Sequence, residues 1–71
     1  MTISKVNVRN QFRGKVIEIL AGPVVSEIVV GTPFGTITSV ITTRSINELD
    51  LTEGSDVVAM VKSTEVSIAK L

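Results

Sequence analysis

Residues 11–30, QFRGKVIEILAGPVVSEIVV, contain two runs rich in valine and isoleucine on either side of the turn Ala21-Gly22-Pro23. β-Branched residues favour an extended backbone, and the Gly-Pro pair interrupts it, so the stretch predicts two strands over residues 11–20 and 24–30. In the second strand, alternate residues lie on opposite faces of a sheet. One face carries Val24, Ser26, Ile28 and Val30, and the other carries Val25, Glu27 and Val29. Apolar residues therefore occupy both faces.

The sequence that follows predicts a hairpin, a third strand and a short helix. Gly31-Thr32-Pro33-Phe34-Gly35 is a glycine-flanked connection, and the third strand covers residues 36–41. The alternation then stops. Ser45 to Glu48 fits a helix-capping box, and Ile46 and Leu49 lie three residues apart, which predicts one or two helical turns over residues 43–49 with both side chains on one face.

Two more strands are predicted after the turn LTEG at 51–54, over residues 56–61 and 65–70. Before the first strand, residues 2–10 mix apolar and polar side chains and fit either a short strand or an arm lying on a neighbouring subunit. Three strands, a short helix and two strands are the chain order of an OB-type barrel. The predicted fold is therefore all-β: a five-stranded OB-like Greek-key barrel with one short helix between strands 3 and 4.

The length and composition predict a single domain, residues 1–71, that assembles with copies of itself. A chain of 71 residues has a small core, and the absence of cysteine excludes disulfide bonds. Hydrophobic residues make up 44% of the sequence, and no apolar run reaches the ~18 residues of a membrane span. A subunit interface is the expected place for the excess apolar surface, on the second face of strands 1, 2 and 4.

The charge and residue types exclude several classes of function. The formal net charge is zero and there are two phenylalanines and no other aromatic residue, which argues against nucleic-acid binding. Without histidine or cysteine the usual zinc and iron ligands are missing. The carboxylates are scattered, and no general base stands beside a serine or threonine, so an enzyme is not expected. The amino terminus shows no export signal, which predicts a cytoplasmic protein.

Lys62-Ser63-Thr64, between the last two predicted strands, gathers an ammonium and two hydroxyl groups in a turn. Such groups can all donate hydrogen bonds to a small anion, although a solvated turn has the same composition. Near the amino terminus, Arg9 adds a planar fork of donors, flanked by the amides of Asn7 and Asn10. The alternative for Arg9 is an ion pair with a surface carboxylate.

Thr42 and Thr43 open the predicted helix. The free backbone amides of a helix start favour negative charge, so the two threonines are a third candidate for anion binding. Plain capping of the helix by a threonine hydroxyl is the alternative.

Taken together and in order, these stretches resemble the Mop family. Its members, the molbindins, are small molybdate-binding proteins related to the TOBE domains of molybdate transporters and regulators. The family's opening motif is similar to RNQFRGKV at 9–16, its segment after the helix to LDLTEG at 49–54, and its closing motif to VKSTEV at 61–66. The resemblance runs from about Ser4 to Ile68. The family commonly has serine two places before the arginine, where this sequence has Asn7.

The resemblance implies a function and an assembly. Molybdate or tungstate would be the bound ligand, with no organic cofactor, and Arg9, Lys62 and Ser63 would contact it, with Asn7 and Asn10 as further donors. Thr42 would reach the oxyanion from another subunit. Strand exchange would form dimers, and three dimers would form a hexamer that holds the oxyanions at its interfaces. The alternative is an OB-type interaction or sensor module that docks on another protein or on nucleic acid.

Overall fold

The computed structural model describes residues 6–71. Within this part of the chain, four strands form an antiparallel sheet in the order β3-β2-β1-β4, which places the fourth strand beside the first as in a Greek key. The elements are β1 (Asn10–Leu20), β2 (Val25–Thr32), β3 (Gly35–Thr42), α1 (Thr43–Glu48), β4 (Asp56–Val61) and a 3-10 turn (Ser63–Glu65). The first four predicted strands and the helix are confirmed, with ends shifted by no more than two residues.

β1 bends so that the sheet curls into a small barrel. Its pairing with β2 shifts register between Val16 and Glu18, so Ile17 is an extra residue of the kind that forms a β-bulge and increases twist. The strands also pass very close together at Gly14. A Cβ atom there would lie 2.3 Å from the carbonyl oxygen of Gly31, so only glycine fits this crossing.

The core lies inside this curl and is capped by α1. Its buried side chains are Val16, Ile28, Val30 and Ile46, and Ile19, Ile41, Leu51 and Val57 pack against them. The predicted face of β2 that holds Ser26, Ile28 and Val30 is the inner one. On the outer face of the sheet, apolar side chains remain exposed: Ile17, Leu20, Val25, Val40 and Met60. The prediction of apolar residues on both faces is thus confirmed.

Two details of the predicted helix are wrong. The helix begins one turn earlier than the predicted box, because the hydroxyl of Thr42 caps it by accepting a hydrogen bond from the Ser45 amide at 3.1 Å. Leu49 is also 64% exposed, whereas Ile46 is 8% exposed. Leu49 is the C-cap residue, where the chain leaves the helix, so the helical spacing no longer places it beside Ile46.

The carboxyl end of α1 is closed by a Schellman motif. The Leu51 amide donates to the Ile46 carbonyl at 3.0 Å and the Asp50 amide to the Asn47 carbonyl at 3.2 Å. Asp50 adopts a left-handed conformation with φ 51°, which a glycine would adopt at lower cost. The motif turns the chain so that Leu51 packs on the core beside Ile46.

The predicted fifth strand is wrong for the isolated chain. Residues 63–65 form the 3-10 turn, and residues 66–71 carry no strand. A strand needs a neighbouring strand for its hydrogen bonds, and none within residues 6–71 lies beside this segment. The barrel consequently stays open along a seam between the edges of β3 and β4. The Ile68 side chain is 89% exposed.

The seam is an apolar cavity of about 400 Å³. It is lined by Asn10, Phe12, Thr32, Phe34, Gly35, Thr36, Ile37, Val61 and Val66. The predicted strand or arm over 2–10 begins in residues 1–5, which lie outside the described residues, and residues 6–9 approach β1 without forming a strand.

Candidate anion-binding site

A small pocket of about 200 Å³ lies where the chain enters β1 and leaves β4. It is lined by Asn7, Arg9, Lys62, Ser63 and Thr64. β1 and β4 are antiparallel neighbours in which Asn10 lies opposite Val61. The residues just before β1 and just after β4 therefore meet, although they are more than fifty positions apart in sequence. The sheet thus brings together four of the predicted site residues.

Two amide side chains brace the walls of this pocket. The Asn10 side-chain amide donates to the Val61 carbonyl at 3.0 Å, and the Gln11 side-chain amide donates to the Val8 carbonyl at 2.8 Å. Asn10 does not line the small pocket but lies on the seam, so its observed contact is with the backbone just before Lys62. It fixes the position of Lys62 relative to β1.

The 3-10 turn presents the hydroxyl groups. The Glu65 amide donates to the Lys62 carbonyl at 2.8 Å and the Val66 amide to the Ser63 carbonyl at 3.4 Å, which curls the chain immediately after β4. The cap of this turn uses no side-chain hydrogen bond from Lys62. Thr64, which belongs to the hydroxyl-rich tripeptide but not to the contacts implied by the family, lines the pocket as well.

The pocket is rich in donors that have no partner in the part of the chain that the structure describes. Among the contacts within residues 6–71, the side chains of Asn7, Arg9, Lys62, Ser63 and Thr64 make no hydrogen bond and no ion pair. Two of them are cations that only donate, and no carboxylate lines the pocket. This set can bind an anion by charge-assisted hydrogen bonds without first breaking a bond within residues 6–71.

Thr42 lies at the other end of the sheet. It pairs with Val25 at the start of β2, on the same side as the end of β1, where Leu20 pairs with Glu27. Arg9 precedes the start of β1, and the ten residue steps along this strand correspond to a path of roughly 30 Å. Within one chain, the structure does not bring Thr42 to the small pocket.

The hydroxyl of Thr42 can still donate its hydrogen to a ligand. Its oxygen accepts from the Ser45 amide at 3.1 Å and lies 2.8 Å from the Ser45 hydroxyl. When the Ser45 hydroxyl donates, both lone pairs of the Thr42 oxygen are occupied and its own hydrogen is free. Helix capping, the alternative considered for Thr42, is therefore present, and it is compatible with donation to an anion.

A larger open groove of about 800 Å³ crosses the outer face of β1. It holds an ion pair in which the Lys15 ammonium lies 2.6 Å from the Asp56 carboxylate. The hydrogen bond and the charge of Lys15 lower the pKa of Asp56 below its ordinary value. Because this carboxylate faces the cation, the groove suits an anion less well than the small pocket does. Residues 6–71 hold no cluster of carboxylates that could bind a metal ion.

Comparison with known proteins gives the same picture of the chain. Residues 7–68 match the family model of the TOBE domain. The chain is 42% identical over 64 residues to molybdenum-pterin-binding protein 2 of Clostridium pasteurianum, an alignment that covers 89% of this chain and 94% of the relative.

Solved structures of similar proteins have the same fold. A molybdate-binding protein from Sporomusa ovata superposes with a TM-score of 0.89 at 36% identity, covering 93% of this chain and 98% of the other. The cytoplasmic molybdate-binding protein ModG, solved with molybdate bound, superposes with a TM-score of 0.82 at 31% identity, covering 86% of this chain and 44% of ModG. No helix within residues 6–71 is long and apolar enough to cross a membrane.

The match to the family model covers most of the chain, and the Clostridium pasteurianum relative and the Sporomusa ovata structure match it over nearly their whole length, at 42% and 36% identity. The chain belongs to the TOBE domain family and, within it, to the Mop group of molybdenum-pterin-binding proteins.

Proposed function

We propose that this protein binds molybdate or tungstate in the cytoplasm and stores the oxyanion or buffers its concentration, with no chemistry done on it. The observation that carries the proposal is the small pocket, in which Arg9 and Lys62 stand among hydroxyl and amide donors with no carboxylate. The relatives named above, which bind molybdenum-pterin or molybdate, support the choice of ligand.

The donor set favours a fully deprotonated dianion. Arg9 and Lys62 can only donate, and an ion without protons accepts from both of them. Monohydrogen phosphate carries a proton that needs an acceptor. The two cations offer none, and the acceptors that line the pocket are the Asn7 amide oxygen and the hydroxyl oxygens of Ser63 and Thr64, so the site is poorer in acceptors than in donors. Each hydrogen bond to a charged group contributes roughly 1.5–3 kcal/mol, so three or four of them would give micromolar or tighter affinity, near −8 kcal/mol.

The complete site requires a second copy of the chain. Asn7, Arg9, Lys62, Ser63 and Thr64 form one wall, and Thr42 of another copy supplies a hydroxyl from the opposite side. The distance between Thr42 and the pocket along the sheet supports this division, because one chain does not bring the two together. Placing the site between copies would link oxyanion binding to assembly, which we propose is a hexamer built from three dimers.

We further propose that the dimer forms by exchange of the carboxyl-terminal segment. Residues 66–69 alternate large apolar side chains with small ones, as Val-Ser-Ile-Ala, and they have no neighbouring strand within the described part of the chain. The seam between β3 and β4 has unpaired edges and apolar walls that include Phe12 and Ile37. A segment from another copy that filled the seam would supply the missing fifth strand and close the barrel.

The ligand is tested by calorimetric titration of the protein with molybdate, tungstate, sulfate and phosphate in parallel. We expect micromolar or tighter binding of molybdate and tungstate and much weaker binding of phosphate. Equal affinity for phosphate would contradict the argument from donors, and the absence of binding of either metal oxyanion would contradict the function.

The exchange is tested by substituting Ile68→Asp and, as a matched control, Ser67→Asp. A charge at Ile68 would lie on the apolar side of the exchanged strand and remove roughly 1.5–3 kcal/mol of burial per copy. We expect native mass spectrometry to show smaller assemblies for Ile68→Asp and unchanged ones for Ser67→Asp. An assembly of unchanged mass for Ile68→Asp would place the segment outside the interface.

A further inference from the structure

Ser26, Thr43 and Gly22 form a closed ring of hydrogen bonds beneath the start of α1. The Gly22 amide donates to the Ser26 hydroxyl at 3.2 Å, the Ser26 and Thr43 hydroxyl oxygens lie 2.7 Å apart, and the Thr43 hydroxyl donates to the Gly22 carbonyl at 2.7 Å. Ser26 is 2% exposed. We refer to these three residues as the hydroxyl ring.

The direction of each bond in the hydroxyl ring follows from its neighbours. The hydrogen of Thr43 is used on the Gly22 carbonyl, so the Thr43 oxygen must accept from Ser26. The Ser26 oxygen in turn accepts from the Gly22 amide. Each hydroxyl therefore donates once and accepts once. Bonds linked head to tail in this way polarise one another, which strengthens the ring as a unit.

The hydroxyl ring fixes the residue that follows Thr42. Thr43 is the first residue of α1, and its amide also donates to the Val24 carbonyl at 2.9 Å. These contacts tie the junction of β3 and α1 to the turn between β1 and β2. Thr42 is itself exposed and is the last paired residue of β3, where a strand would otherwise fray.

The hydroxyl ring has a structural role, because it pairs the Gly22 amide and carbonyl, which apolar side chains at positions 26 and 43 would leave without these partners. Because hydrogen bonds are directional, the two hydroxyl groups also hold the backbone at a fixed position and orientation. The residue carried by that backbone is Thr42.

We propose that Ser26 and Thr43 are positioning residues for the oxyanion site. They hold the Thr42 hydroxyl at the angle from which it donates to the dianion in the pocket of a neighbouring copy. This inference depends on the proposed function, because it assigns to Thr42 a contact with the bound oxyanion.

The test compares Thr43→Val, which keeps the shape and removes the hydroxyl, with Thr43→Ser, which keeps the hydroxyl. Molybdate affinity is measured by calorimetry on the assembled protein, and thermal melting is recorded beside it. We expect Thr43→Val to weaken molybdate binding roughly threefold to tenfold and Thr43→Ser to bind as the unsubstituted chain does. In a Thr42→Val background, Thr43→Val should cause no further loss, because it acts through Thr42.

The outcomes separate this inference from the function itself. If the unsubstituted chain does not bind molybdate, the proposed function is wrong. If it binds and Thr43→Val lowers only the melting temperature, or lowers affinity equally in the Thr42→Val background, the positioning role is wrong. Should Thr43→Val not fold, as judged by circular dichroism, Ser26→Ala replaces it with the same expectation. If neither variant folds, the hydroxyl ring is required for folding itself, and the proposal is overturned.

Discussion

The two ends of the sheet differ in how many of their polar groups are paired within the chain. At the helix end, where β1 ends and α1 begins, the hydroxyl ring, the Thr42 cap and the Schellman motif pair the polar groups within the chain. At the pocket end, where β1 begins and β4 ends, Arg9 and Lys62 make no contact with a partner among residues 6–71, and an apolar seam lies open beside them.

This difference indicates that the helix end contributes mainly to stability and the pocket end mainly to binding. The helix end contributes Ile46 to the core and needs nothing from outside the chain. Among residues 6–71, the pocket end carries cations without a partner and a carboxyl-terminal segment without a neighbouring strand. In the proposed function, a ligand and a second copy complete it. Core substitutions at the helix end, such as at Ile46, should therefore change stability first. Substitutions at the pocket end, and at Thr42 and Thr43, should change affinity first.

The largest effect is expected from Lys62→Ala at the pocket end. Truncating a charged partner of a desolvated ion costs roughly 2–5 kcal/mol, so molybdate affinity should fall by that amount, while the melting temperature of the free protein should hardly change. Calorimetry and thermal melting measure the two quantities. Lys15→Ala is the control, since it removes the same charge from a site that does not line the small pocket. Equal losses for both variants would mean that only net charge matters.

At the helix end, Ile46→Ala should produce a large loss of stability. Ile46 is buried in the core, and truncating a buried isoleucine costs roughly 2–5 kcal/mol of unfolding free energy. Leu49→Ala, three residues later and exposed, should stay within about 0.5 kcal/mol. Chemical denaturation gives both values. A similar loss from the two substitutions would contradict the observed end of the helix.

A smaller gain is expected from Asp50→Gly. Asp50 holds a left-handed conformation at the C′ position of α1, where glycine avoids steric strain, so the unfolding free energy should rise by roughly 0.5–1 kcal/mol. Asparagine also tolerates this conformation, and Asp50→Asn should match the unsubstituted chain within a few tenths of a kcal/mol. A loss of stability in Asp50→Gly would show that the carboxylate has a role of its own.

The smallest effect concerns the Lys15–Asp56 pair on the outer face. Lys15 lowers the folded-state pKa of Asp56 below its ordinary 3.8, so the stability from this pair is present above the ordinary value and is lost as pH falls through the lowered pKa. The unsubstituted chain should melt slightly above Asp56→Asn at neutral pH, and the difference should shrink as pH falls below 3.8. A difference that persisted in acid would have another cause.

Much of the fold could be predicted from local sequence because β-branched residues and turn residues alternate clearly. The bounds of β4 were predicted to the residue. The predicted fifth strand shows the limit of this reasoning. Residues 65–70 have the composition of a strand, but a strand also needs a hydrogen-bonding neighbour, and composition says nothing about where that neighbour lies. The start of the helix at Thr43 was predicted, but the capping box was placed three residues too late, at Ser45 instead of Thr42, because both are suitable caps.

The site was harder to predict than the fold. Nothing in the local sequence brings Arg9 near Lys62, because their proximity follows from the pairing of β1 with β4. The family resemblance named both residues. Asn10 was added because its amide can donate beside Arg9, and that amide binds the Val61 carbonyl instead of lining the pocket. Thr64 could have been included from its neighbours, since the 3-10 turn presents it together with Ser63.

The most direct test of a site shared between copies is to mix two variants. Lys62→Ala chains and Thr42→Val chains each lack one half of every site, so neither alone should bind molybdate with full affinity. If the halves come from different chains, a co-refolded equimolar mixture should regain full affinity at about a quarter of its sites in calorimetry. If the mixture regains none, both halves belong to one chain and the proposed arrangement is wrong.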